Sequence, residues 1–130
     1  MAQEIADKKE VFLNIDPKTK EGSVQVDSSL VQVLKDYQLE GVQFMWDCCF
    51  ESFEMIAKPN NLGSGCLLAH CMGLGKTLQV ITLVHTLIAH KNETKCKRVL
   101  ILMPVNVLLN WKHEFTKWTA KCNSKNRRKY

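Results

Sequence analysis

Lys76 and Thr77, set behind Gly73 and Gly75, are the residues of this chain whose types and spacing suit phosphate chemistry. They close the stretch Leu67-Leu68-Ala69-His70-Cys71-Met72-Gly73-Leu74-Gly75-Lys76-Thr77, which runs from an apolar segment through a loop into an amphipathic helical pattern. Glycines let backbone N–H groups turn inward around an anion. A Lys ammonium then reaches the β- and γ-phosphates, and a Thr hydroxyl ligates Mg²⁺. A helix starting near Lys76 adds the positive end of its macrodipole to the same place. The reading is a loop built for a nucleoside triphosphate, with Met72, Gly73, Leu74, Gly75, Lys76 and Thr77 around the phosphates and Thr77 on the metal.

The strict pattern G-x-x-x-x-G-K-[ST] asks for Gly at position 70, where this chain has His70. The spacing Gly73-x-Gly75-Lys76-Thr77 is the form used by helicase-type ATPases, and the apolar run before it and the periodic run after it supply the required setting. His70 and Cys71 could be taken for a catalytic pair. Phosphoryl transfer needs positioning and charge stabilisation rather than a covalent nucleophile, so they are read as loop-packing residues. The six cysteines show no C-x-x-C spacing. Reduced thiols, and no zinc site, are the reading for them. Met1 to Glu10 is polar and charged, unlike a secretory signal. The longest apolar run, Leu78 to Ala89, is interrupted by Gln79, Thr82, His85 and Thr86 and is too short to span a bilayer.

The loop needs elements to hold it. Val11 to Ile15 and Val24 to Val26 are β-prone and flank the turn chemistry of Asp16 to Gly22, so a small hairpin is predicted. Ser28 and Ser29 offer a helix N-cap ahead of Leu30 to Leu34. Val42, Trp46, Cys49, Phe53 and Ile56 recur at steps of four and three, which predicts one long helix from about Tyr37 to Ala57. Cys66 to Ala69 and Arg98 to Met103 read as short buried strands. Lys76 to Ala89 reads as a helix with Leu78, Ile81, Val84, Leu87 and Ile88 on one face. A last helix, about Val105 to Trp118, would turn Leu108, Trp111, Phe115 and Trp118 inward. Strands alternating with helices imply a parallel sheet with right-handed crossovers. Two such strands leave an edge and apolar surface uncovered, so the chain reads as the opening of a larger domain.

Three blocks stand in a recognisable order: Leu34 to Val42, the phosphate loop, and Val99 to Trp111 continuing through Glu114-Phe115-Thr116-Lys117-Trp118. Together they resemble the first RecA-like lobe of Swi/Snf-type chromatin remodellers, in helicase superfamily two. That family reads L-[KR]-P-[HY]-Q, then M-G-L-G-K-T, then a strand ending in Pro followed by N-W-x-x-E-F-x-K-W. His70-Cys71 in place of the usual Asp-Glu, with Gly41 to Cys49, is similar to the ATRX branch of the family. Asp36 departs from the family by replacing a proline, and Met103 by replacing a smaller residue before Pro104.

The resemblance implies that Gln38 reads adenine with its amide, and that Pro104, Asn106 and Asn110 track the DNA phosphate backbone. It implies ATP and Mg²⁺ as cofactors, double-stranded DNA and nucleosomes as partners, and the nucleus as location. It also implies a D-E-x-H box and a second lobe, neither of which occurs before Tyr130. The expected architecture is therefore α/β: a truncated RecA-like P-loop lobe of parallel strands with flanking helices, preceded by a hairpin and a long helix. The divisions are 1–27 for the hairpin extension, 28–120 for the start of the ATP-binding lobe and 121–130 for a basic stub. The expected function is the ATP-binding segment of a DNA-dependent ATPase and duplex translocase, unable to hydrolyse ATP alone. Two alternatives stay open. A small P-loop kinase would need an acceptor site and a second carboxylate after a later strand. A non-catalytic truncated product would act only as an interaction fragment. The overall balance of 45% hydrophobic and 24% charged residues, with net charge +5, admits an anionic partner without requiring one.

Overall fold

The computed structural model describes residues 10–60 and 63–122. The hairpin forms as predicted: β1 (Phe12–Ile15) pairs antiparallel with β2 (Gly22–Gln25), Asn14 facing Ser23 and Phe12 facing Gln25. Its turn is closed by Asp16, whose carboxylate accepts the N–H groups of Lys18 at 2.7 Å and Thr19 at 2.9 Å. Asp27 accepts from Ser29 N and caps the single turn α1 (Ser28–Val31), so the cap is the residue before the predicted serines.

α2 runs Asp36–Cys49, shorter than the predicted helix. The chain breaks at Phe50–Ser52, where Glu51 takes φ +63°, and restarts as α3 (Phe53–Ile56) with Ser52 capping Met55 N. The apolar stripe survives the break because both pieces pack on one side chain. Phe50 stacks on Trp46 at 5.3 Å, and Phe53 meets it edge-on at 6.5 Å. Trp46 is fully buried between α2 and α4 (Lys76–Ala89), and Leu30, Leu34, Val42, Met45, Leu78, Leu83 and Leu87 complete that core with Leu13 and Val24 of the hairpin.

α4 is buried beyond its predicted face. Gln79, Thr82, His85 and Thr86 lie inside with Leu78, Ile81, Val84 and Leu87. The two threonines satisfy their hydroxyls on the helix itself, donating to Leu78 O and Thr82 O at 2.8 Å each. After α5 (Lys91–Thr94) comes an extended run, then a 3-10 turn over Val105–Val107 and α6 (Leu108–Thr119). Within α6 only Thr119 is buried; Trp111, Phe115 and Trp118 are half-buried and Leu108 is exposed, so the predicted inward face is only partly docked.

The predicted parallel sheet is not present among the described residues, whose one sheet is the antiparallel hairpin. Cys66 to Ala69 and Arg98 to Met103 carry no regular secondary structure and join no ladder. A strand exists only when a neighbour takes up its N–H and C=O groups, and these two segments do not pair. Several of their apolar side chains accordingly face outward, Leu67 being 82% exposed, Leu100 83% and Leu102 85%, whereas Leu68 packs against the core. No helix among the described residues is long and apolar enough to cross a membrane. Most of the predicted basic stub, 123–130, and the first nine residues of the predicted hairpin extension lie outside the described residues.

Candidate nucleotide-binding site

The phosphate loop joins the irregular Cys66–Ala69 segment to the N-terminus of α4. Gly73 (φ +81°) and Gly75 (φ +73°) both sit in the left-handed region, where a side chain would strain the turn. Gly75 is the residue before the first helical position, and no side chain caps the amides that follow it. A Cβ built on Gly73 meets nothing within 4 Å, so that face of the loop is open to an incoming group. Lys76 bends back over the loop, its Nζ donating to His70 O at 2.6 Å and Cys71 O at 3.1 Å. A cation, a helix N-terminus and two left-handed glycines thus converge on one stretch of backbone. Those are the features a polyphosphate requires. Met72 is almost wholly exposed, while Leu74 and Thr77 are half-buried at the helix start.

Gln38 is brought to this loop and is buried against it. Its Oε1 accepts Lys35 N at 2.9 Å, and its Nε2 donates to Leu74 O at 3.1 Å. A Cβ on Gly75 would collide with that Nε2, so the glycine also gives the amide its place. The side chain expected to read a base is therefore the side chain that ties α2 to the loop.

Gln79, which in the sequence is only an interruption of an apolar run, also touches the loop. It is 0% exposed, and its Nε2 lies 3.3 Å from His70 Nδ1 and 3.4 Å from Leu74 O. Its Oε1 faces Gly41, where a Cβ would strike it. Gln79 lies one helical turn after Gly75, and only its burial shows that this is the side of α4 the loop covers. His70 packs as expected, edge-on to Tyr37 at 6.3 Å, but the Cys71 side chain is exposed rather than packed. Pro104, Asn106 and Asn110 are all exposed around the start of α6, and no hydrogen bond links them to the loop among the described residues.

A SNF2-related domain model matches residues 37–126. The chain belongs to the SNF2-related domain family. Within it the similarity points to the ATRX branch. The chain is 50% identical over 115 residues to the transcriptional regulator ATRX homolog of Drosophila melanogaster, covering 88% of this chain and 8% of that protein. It is 55% identical over 96 residues to the Caenorhabditis elegans homolog, covering 73% of this chain and 7% of that one. It is 48% identical over 113 residues to the transcriptional regulator ATRX of Mus musculus, covering 87% of this chain and 4% of that one. The chain thus spans less than a tenth of the length of these relatives.

Proposed function

We propose that this SNF2-related segment is the ATP-binding part of a DNA-dependent, duplex-translocating ATPase of the chromatin-remodelling type. The observation that carries the reading is the convergence of Gly73, Gly75, Lys76 and the α4 N-terminus on one open loop face. In this reading Lys76 exchanges its two carbonyl partners for β- and γ-phosphate oxygens, and loop amides take the remaining ones. Mg²⁺ neutralises phosphate charge, with the Thr77 hydroxyl as its protein ligand. Gln38 exchanges Lys35 N and Leu74 O for the edge of adenine, which couples base recognition to release of the loop.

Hydrolysis needs a carboxylate near the metal and water and cationic groups for transition-state charge. The 130 residues contain no Asp-Glu pair from which a D-E-x-H box could be built. They therefore bind nucleotide without turning it over, and turnover belongs to a motor in which such groups are joined to this segment. Pro104, Asn106 and Asn110, exposed together before and on α6, offer contacts to a DNA backbone that are salt-sensitive and indifferent to sequence. Duplex DNA and nucleosomes are the proposed partners, and the nucleus the proposed location.

The test is a chimera in which these residues replace the matching segment of the Drosophila relative. DNA-stimulated phosphate release by the chimera should vanish in Lys76→Ala, and its preference for ATP over GTP should shrink in Gln38→Ala. Near-normal stimulated release by a folded Lys76→Ala chimera would exclude the loop as the phosphate site.

A further inference from the structure

Away from the phosphate loop, the fold brings two thiols into contact. Cys49 Sγ, on the last residue of α2, lies 3.9 Å from Cys66 Sγ, 17 residues along the chain. The backbone sets this approach. Ser64 N donates to Cys48 O at 3.1 Å, and Gly63, at φ +66°, passes so close to the Cys49 carbonyl oxygen that a Cβ there would strike it. The segment leading into the phosphate loop is therefore pinned to the end of α2 on the residues immediately before Cys66. From this contact the sulfurs must close from 3.9 Å to a bond of about 2.05 Å.

We propose that Cys66 and Cys49 form a thiol modification site, in which a hydroperoxide oxidises the pair to an intramolecular disulfide clasping the end of α2 to the segment that enters the phosphate loop. The two thiols differ in a way that orders the chemistry. Cys66 is exposed. The Cys49 thiol is pushed up to about 11, first by burial and then by its hydrogen bond to and the charge of Cys66. The thiolate is the nucleophile, so Cys66 reacts first. Its sulfur attacks one oxygen of hydrogen peroxide; an S–O bond forms, the O–O bond breaks, and the leaving hydroxide takes up a proton as water. Sulfur loses two electrons and becomes the sulfenic acid. Cys49 sulfur then attacks Cys66 sulfur. The S–S bond forms, the S–O bond breaks, and hydroxide leaves with the Cys49 proton as a second water. Contact between the sulfurs offsets the small thiolate fraction of Cys49. A dithiol reverses the reaction by exchange. The site does not depend on the nucleotide reading.

The full chain, folded and reduced, is exposed to hydrogen peroxide, its remaining thiols are blocked with iodoacetamide, and cross-links are mapped by fragmentation mass spectrometry. The proposal requires Cys49–Cys66 within one chain as the main cross-link, its loss with dithiothreitol, and slower amide hydrogen exchange over residues 63–70 in the oxidised form. Cys49→Ser should leave a Cys66 sulfenic acid that dimedone captures. A main cross-link through Cys48, cross-links chiefly between chains, or a Cys66 no more readily oxidised to a disulfide than in the urea-unfolded chain would each overturn it. The mapping on the unaltered chain decides the matter even if the serine variant does not fold.

Discussion

Two glutamines hold the loop carbonyl of Leu74, one from each side: Gln38 from α2 and Gln79 from within α4. Leu74 lies between the two glycines that shape the loop, so whatever moves these amides moves the backbone donors that would meet phosphate. Replacing Gln79 with Leu removes both amide contacts, to Leu74 O and to His70 Nδ1, while keeping a buried side chain of similar length. Net hydrogen bonds of this kind contribute about 0.5–1.5 kcal/mol each, so nucleotide affinity should fall by up to roughly twofold to thirteenfold per bond while the core survives. Gly41→Ala reaches the same amide from the opposite side, because its Cβ must displace Gln79 Oε1. Titration of both variants with ATP and Mg²⁺, alongside their melting curves, checks this: weaker binding with a retained cooperative melt is expected. The loop itself was legible in the sequence because Gly73, Gly75, Lys76 and Thr77 act through local backbone geometry. Gln79 was not, because a polar residue inside a helix looks like a solvated position until its burial is known.

At the scale of elements, the hairpin and the cores of α2 and α4 follow from local patterning, and the departures have tertiary causes. The period of three and four that predicts an unbroken helix to Ala57 is real, yet it continues across Glu51 because Trp46 collects Phe50 and Phe53 from both pieces. Cys66–Ala69 and Arg98–Met103 have the composition of strands but lack ladder neighbours, and no local pattern reveals which partners are present. α4 carries a further consequence of its burial. His85 is 1% exposed, and burial holds its imidazole below the ordinary histidine value, with His90 acting in the same direction and Asp27 against it. The folded state thus favours neutral His85, and the unfolded chain takes up the proton first. Stability from this group is full above about pH 6.5 and is lost as pH falls through the lower folded value. The melting temperature should therefore drop between pH 7 and pH 5, and the slope should flatten in His85→Gln. The lowered Asp16, held by the N–H groups of Thr19 and Lys18, contributes its own loss only below its ordinary value of 3.8, outside that window. A melting temperature flat from pH 7 to pH 5 would show that His85 is not held neutral.

At the scale of the whole molecule, a buried α2–α4 core carries the proposed nucleotide-binding loop, and apolar side chains at Leu67, Leu100 and Leu102 are exposed. In the proposed reading, binding and turnover are separable. The chain of 130 residues should release no phosphate above background with or without duplex DNA, since an arginine finger alone is worth about 10³–10⁵ in rate. Robust DNA-stimulated release that disappears in Lys76→Ala would place a complete active site within these residues. The central claim, that Gly73 to Thr77 cradles the phosphates of ATP, is tested most directly by following backbone amide resonances of the full chain during titration with ATP and Mg²⁺. The account predicts saturable shifts concentrated at Gly73, Gly75, Lys76 and Thr77. In Lys76→Ala they should be weakened by the loss of a charge-assisted contact of about 1.5–3 kcal/mol. Shifts absent from this loop at saturating nucleotide, or unchanged in affinity by Lys76→Ala, would contradict it.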